Sequence, residues 1–168
     1  PALGAATVRV QGLNGRYTPV LTDGLPINGT QTAALGLLQV PPMDLQRVEV
    51  IKGAASALYG ASALGGVINL VSRMPTATHD GEALFNVTSR GGTDSVLWLS
   101  GPAGEHRGYT FLAGAHTQEA VDVDDDDWSD LPRYRRALAR PRFVYASGAT
   151  SVEVVAGLLS ESRTGGTF

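Results

Sequence analysis

The alternation of apolar and polar positions divides the chain into two stretches of different character. Residues 47–73, RVEVIKGAASALYGASALGGVINLVSR, organise the first. They predict a strand, a glycine turn, a helix of one to two turns, a second glycine turn and a second strand. Val48 and Val50 alternate with Arg47 and Glu49 at the period of two of a half-buried strand. Gly53 and Gly60 bracket AASALY, a run of strong helix formers too short to hold without packing. Gly65 and Gly66 open a turn into VINLV, whose β-branched residues suit an extended and largely buried strand. Upstream, brief extended segments over 8–11, 17–22 and 25–27 are separated by the turn signals Asn14-Gly15 and Asp23-Gly24. A polar loop over 28–32 and a helical turn over 33–38 follow, stopped by Pro41-Pro42. Asp44 then suits the first turn of a short helix.

After Met74-Pro75 the helical signals stop, and short alternating segments follow one another. Strands are predicted over 81–89, 95–100, 109–115, 142–147 and 152–160. Ala83, Phe85 and Val87 form one apolar row, and Tyr109, Phe111, Ala113 and Ala115 another. The connections are turns over 90–94, 101–108 and 148–150, and a long polar loop over 119–136. Segments of about ten alternating residues are the signature of a membrane β-barrel, and soluble sandwiches give the same pattern.

Composition narrows the reading. The 168 residues can hold one large domain or two small ones, and 43% apolar with 17% charged residues is ordinary for a folding chain. The 21 glycines fit many turns between short strands. A net charge of −3 offers no clustered basic face for nucleic acid. Without cysteine there are no disulfides or thiolate metal sites. The chain starts at Pro1 and stops at Phe168 in mid-pattern, so both ends are expected to be cut.

Catalytic patterns fail on inspection. GASALGG (60–66) has glycines at phosphate-loop spacing but lacks the Lys and Ser/Thr that hold phosphate and magnesium. Ser62 follows Gly60 by two, but Leu64 stands where a nucleophile elbow needs its second glycine. His79, His106 and His116 show no metal-ligand pairing. The chain is not expected to be an enzyme. Asp122, Asp124 and Asp126, in the run that continues to Asp130 around Trp128, are candidates to ligate calcium. The register departs from an EF-hand at Asp127 and Arg133, and the alternative is a solvated loop counter-charged by Arg133, Arg135 and Arg136. No other cofactor is indicated.

Taken together, VRVQGLNGRYTPVLTDGLPI followed by QVPPMDLQRVEVIKGAASALYGASALGGVINLVSRMP resembles the plug domain of the TonB-dependent outer-membrane receptor family, nearly continuously over 8–75. Two positions depart: Gln11 stands where the family usually has Arg, and Ala54 where proline is common. The resemblance implies an α+β plug over 1–76, a small mixed sheet with short helices. It implies about five antiparallel strands over 77–168, the start of an incomplete transmembrane β-barrel that forms an open sheet. The function implied is active import of a scarce metal chelate, a ferric siderophore first, across the bacterial outer membrane. Cobalamin, glycan or another metal complex is the alternative cargo, and a soluble β-rich binding module the alternative class. The partners implied are the TonB–ExbB–ExbD complex, the chelate and outer-membrane lipid. Three plug apices are implied as ligand-binding: Asn14, Arg16 and Tyr17; Asn28, Thr30 and Gln31; Tyr59 and Ser62. Tyr59 packed as core is the alternative there. Asp23, Gly24, Arg47, Glu49, Lys52, Gly53, Gly60, Gly65 and Gly66 are implied as plug scaffold or as facing the barrel wall. Strand order would make 90–94 and 119–136 external loops and 101–108 a periplasmic turn.

Overall fold

A computed structural model describes residues 12–13, 17–26, 42–52, 59 and 63–167. They fall into two compact units that part between Arg73 and Met74.

The first unit is a four-stranded mixed sheet of β1 (Val20–Thr22), β2 (Leu25–Pro26), β3 (Leu45–Ile51) and β4 (Val67–Ser72), in the order β2-β1-β4-β3. β1 runs parallel to β4, while β2 and β3 are antiparallel to their neighbours. β4 is central, which is why VINLV is its most apolar strand, with Val67, Leu70 and Ser72 buried. Leu21, Ala63 and Val67 form the core, with Ile51 packed against them. A 3-10 turn, Pro42–Asp44, leads into β3, where Asp44 was expected to start a short helix. The predicted helix over 54–59 lies outside the described residues except for Tyr59.

Gly66 is the hinge on which β4 enters the sheet. Its φ is +104°, and a Cβ there would stand 2.6 Å from the Ile51 carbonyl oxygen. At Gly65 a Cβ would meet Thr18 Oγ1 at 2.5 Å, and its N–H donates to the Tyr17 carbonyl (2.8 Å). Two glycines let the backbone of this turn lie against two other segments at once.

The second unit is an antiparallel sheet of β5 (Asp80–Val87), β6 (Gly92–Pro102), β7 (Arg107–Gln118), β8 (Arg133–Ser147), β9 (Thr150–Val155) and β10 (Leu158–Thr164). It is open: β5 does not pair with β9 or β10. β5 to β8 form a meander, and β9 and β10 both pair with β8. Their register on β8 is the same on either side of the break, from Arg142↔Val155 to Ala139↔Leu158. They are one strand, read in sequence as 152–160, interrupted opposite Pro141, which has no N–H to donate. The expected loop over 119–136 is also shorter than read, because β8 already begins at Arg133. β6 and β7 extend likewise, leaving only a short turn around Gly104, whose φ is +122°.

The register sorts side chains into two unlike faces. On one face, cross-strand rows run Phe85–Ser95–Ala115–Ala137–Ser160, then Ala83–Leu97–Ala113–Ala139–Leu158, then Leu99–Phe111–Pro141, then Tyr109–Phe143–Val154. Phe85, Phe143, Val154 and Leu158 are exposed there. Both apolar rows predicted from the sequence, Ala83, Phe85 and Val87 and Tyr109, Phe111, Ala113 and Ala115, lie on this face. It ends at Arg135 towards one rim and at Arg107 with Tyr145 towards the other. From Arg135 to Tyr145 is roughly 33 Å of strand at ~3.3 Å per residue, or about 25 Å along a barrel normal for a strand tilt of ~40°. That equals the height of the apolar band of a membrane barrel. The other face is polar at its ends and buried in its middle, where Trp98 lies opposite Leu112 with both fully covered.

Candidate functional site

In the first unit the described site residues converge on one network. Asp23 and Gly24 turn β1 into β2, both with positive φ (51° and 80°). Gly24 needs that conformation as read from sequence; Asp23 shares it, and its carboxylate has a further role. Its Oδ1 accepts from the Ser72 N–H and its Oδ2 from the Ser72 hydroxyl, both at 2.8 Å. Gly24 N–H donates to Asn69 Oδ1 (2.9 Å), Asn69 Nδ2 donates to Glu49 Oε2 (2.9 Å), and Arg47 Nε donates to Glu49 Oε1 (2.8 Å). The line therefore crosses the sheet from the edge strand to the β1–β2 turn. Asn69 first, then Arg47, holds the Glu49 carboxyl below the usual carboxylate range. Asn69 and Ser72 carry no sequence signal beyond being polar positions within an apolar strand.

Asp23→Ala should free the buried Ser72 amide and hydroxyl at a cost of about 1–2 kcal/mol, since Asp23 itself is solvent-facing. The Ser72 amide is then expected to exchange with solvent about tenfold faster. Asp23→Asn, which can accept from the amide and donate to the hydroxyl, should change it little.

The proposed apices are only partly visible. Tyr17 is half-buried and Tyr59 is exposed, not core. Asn14, Arg16, Asn28, Thr30, Gln31, Ser62, Gly53 and Gly60 lie outside the described residues. Lys52 follows β3 and takes no part in the network.

The second unit brings together residues that sequence reading missed. On the polar face Asn86, Asp94, His116, Arg136 and Glu161 stand opposite one another across five strands. Asn86 Nδ2 donates to Asp94 Oδ2 and His116 Nδ1 meets Asp94 Oδ1, both at 2.9 Å. Arg136 Nε donates to Glu161 Oε2 (2.6 Å), and Arg163 Nε donates to the other oxygen of the same carboxylate. Both guanidiniums lie over the Tyr134 ring, 5.7 and 5.2 Å from its centroid. Further along β8, buried Arg142 pairs with Glu153 at 2.9 Å. The signal was present in RYRRALARPRFVY: Arg136, Arg140 and Arg142 alternate with Ala137, Ala139 and Pro141 at period two. Assigning 119–136 to a loop concealed it.

The acidic loop is folded on itself. Asp122 accepts from the N–H groups of Asp124, Asp125 and Asp127, and Asp130 from that of Val123. Carboxylate oxygens of Asp122, Asp124 and Asp130 lie within 4.8 Å of one another. Asp126 is not in that group; it caps the Trp128 N–H (2.9 Å), and Asp130 takes the place the sequence suggested for it. Asp126 before all else, with some desolvation and then Asp130 and Asp122, pushes the Asp124 carboxyl above its ordinary value of 3.8. A raised carboxyl binds its proton more readily in the folded loop than in the unfolded one. The loop is therefore favoured by acid, and loses that contribution as pH rises from 3.8 through the elevated value. Acrylamide quenching of Trp128 should increase over that interval, and Asp126→Asn should remove most of the increase.

Both the N-terminal part and the chain as a whole match known proteins. Residues 1–67 match the family model of the TonB-dependent receptor plug domain. The vitamin B12 transporter BtuB of Photobacterium profundum is 35% identical over 97 residues, 58% of this chain and 15% of the relative. The ferric enterobactin receptor PirA of Pseudomonas aeruginosa is 27% identical over 133 residues, 70% of this chain and 18% of the relative. The crystal structure of the siderophore receptor PirA from Pseudomonas aeruginosa superposes over 97% of this chain and 30% of its own, with a TM-score of 0.72 at 23% identity. The chain thus spans less than a fifth of the length of these two curated relatives. With a plug-model match over residues 1–67, a mixed plug sheet and an open sheet of barrel strands in one sequence, the chain carries the plug domain of the TonB-dependent receptors followed by strands with the fold of their barrel.

Proposed function

We propose that this chain is part of an outer-membrane transporter that binds a scarce metal chelate, most simply a ferric siderophore, and imports it with energy delivered through TonB. The observation that carries the reading is the second unit's two-faced sheet: one face apolar over about 25 Å, the other lined by a polar ladder. Such a sheet suits lipid on one side and a polar lumen on the other. The longest connection, between β7 and β8, then belongs to the external side, and the short turns after β6 and β8 to the periplasmic side. In the first unit, Asn14, Arg16 and Tyr17, then Asn28, Thr30 and Gln31, then Tyr59 and Ser62, are the apex residues proposed to touch cargo. A guanidinium and an aromatic ring suit an anionic catecholate or hydroxamate chelate.

Growth on iron-limited medium tests it. A strain relying on the complete receptor should grow with one or a few ferric chelates and stop growing when TonB is deleted. Growth unchanged by deletion of the receptor, with every chelate offered, would end the siderophore reading. The identity to a vitamin B12 transporter favours cobalamin as the second cargo. Cobalamin-dependent growth in the same strain is the corresponding assay.

A further inference from the structure

Arg135 is out of place on the face that carries it. It lies on the apolar side of β8, with Thr117 opposite on β7 and Ser162 opposite on β10. Thr117 in turn faces Thr93, the two hydroxyl oxygens 2.6 Å apart. Towards the sheet's middle the next rows are Ala115–Ala137 and Ala113–Ala139. Arg135 is exposed, and among the described residues its side chain has no hydrogen-bond or ion-pair partner. Its neighbour one row outward, Arg133, is engaged with Glu119 at 2.9 Å.

A cavity of about 400 Å³ lies beside the next row outward, lined by Ser129, Arg133, Thr164 and Thr167 among others. Arg133 and Thr164 are themselves opposite one another, one row beyond Arg135 and Ser162. The cavity is held in shape by Ser129, whose N–H donates to the Gly166 carbonyl and whose hydroxyl accepts from the Gly166 N–H, both at 2.9 Å. The rim therefore offers a guanidinium fork and a row of hydroxyls next to the alanine pairs, with the cavity beside Arg133 and Thr164 one row further out.

We propose that Arg135, with Thr117 and Ser162, binds the phosphate of a membrane-lipid headgroup at the loop-bearing rim. A guanidinium on a lipid-facing wall belongs at headgroup depth, because its charge becomes costlier to bury towards the hydrocarbon. At that depth its planar donors match phosphate oxygens two at a time. The flanking hydroxyls supply neutral donors, and the small alanine side chains below leave room for acyl chains. The proposal rests on the reading of this sheet as a membrane barrel wall.

Native mass spectrometry of the complete receptor in neutral detergent tests it, with phosphatidic acid or phosphatidylcholine added. Phosphatidic acid should be retained saturably and phosphatidylcholine should not. Arg135→Gln should lower phosphatidic acid occupancy at least fivefold, and Thr117→Val, which leaves all charges in place, about two- to threefold. Arg90→Gln, which removes a charge from the neighbouring turn, should leave it unchanged. Equal retention by wild type and Arg135→Gln would overturn the proposal, as would an equal loss in Arg90→Gln. Displacement by millimolar inorganic phosphate would assign the site to a free anion and overturn the lipid assignment. Flotation with liposomes separates the two levels. A receptor that does not float with vesicles removes the barrel reading itself. One that floats but fails the lipid comparison removes only this site.

Discussion

Gly66→Val should cost the plug sheet about 3–5 kcal/mol, the largest loss expected from a single substitution here. Two penalties coincide at that position. The φ of +104° is nearly closed to a β-branched residue, and the added Cβ would stand 2.6 Å from the Ile51 carbonyl oxygen. The obstacle is backbone, so no rotamer change relieves it. Relief requires β3 and β4 to separate near the Ile51↔Val67 pair, where the core residues Val67 and Ile51 meet. Hydrogen exchange in the complete receptor should show β1 and β4 amides losing protection by two orders of magnitude or more, with β6 to β8 unaffected. Gly24→Ala is a useful contrast, because a Cβ there meets nothing within 4 Å and only the φ of +80° is at issue. Its cost should stay near 1 kcal/mol. Comparable losses for the two variants would mean that the Ile51 contact is not what constrains Gly66.

Phe111→Arg is expected to destabilise the complete barrel in lipid by about 2–4 kcal/mol, the penalty for a cation near the bilayer midplane. Phe111 pairs with Leu99 on one side and Pro141 on the other, and lies close to halfway between the rows of Arg135 and Arg107. The depth dependence gives the sharper test. Thr117→Arg, in the Arg135 row, should cost no more than about 1 kcal/mol. Leu112→Arg, at a side chain that lies on the opposite face and is 1% exposed, should act through lost packing instead. Reversible unfolding in lipid vesicles measures all three. Stability unchanged by Phe111→Arg would refute the assignment of this face to lipid, whatever the fold relationship.

What was legible in the sequence follows from the range of each physical signal. Alternation at period two depends only on adjacent residues, so the strands from β5 to β7 and the face carrying Ala83, Phe85, Phe111 and Ala113 could be read without coordinates. Gly24 and Gly66 were legible as turns for the same reason, since positive φ is a local demand. The first half of β8 was not. Its arginines read as loop polarity because the apolar partners between them are alanines, too small to mark a strand by hydropathy. Nothing in the sequence around Pro141 says which partner strand it breaks, and only the pairing with β9 and β10 shows where its missing N–H interrupts the ladder.

The division ends at the 47–73 stretch and its surroundings. The sequence alone determined the two strands and the second glycine turn of this stretch, and the run of short alternating strands in the second half. Tertiary structure decided which polar groups meet: Asp23 with Ser72 across 49 residues, Glu49 with Asn69, and Arg136 with Glu161. It also decided that Asp130 rather than Asp126 joins Asp122 and Asp124. These pairings depend on register between strands distant in the chain. Register is set by closing loops and burying one face, a property of the assembled sheet that no window of neighbouring residues contains.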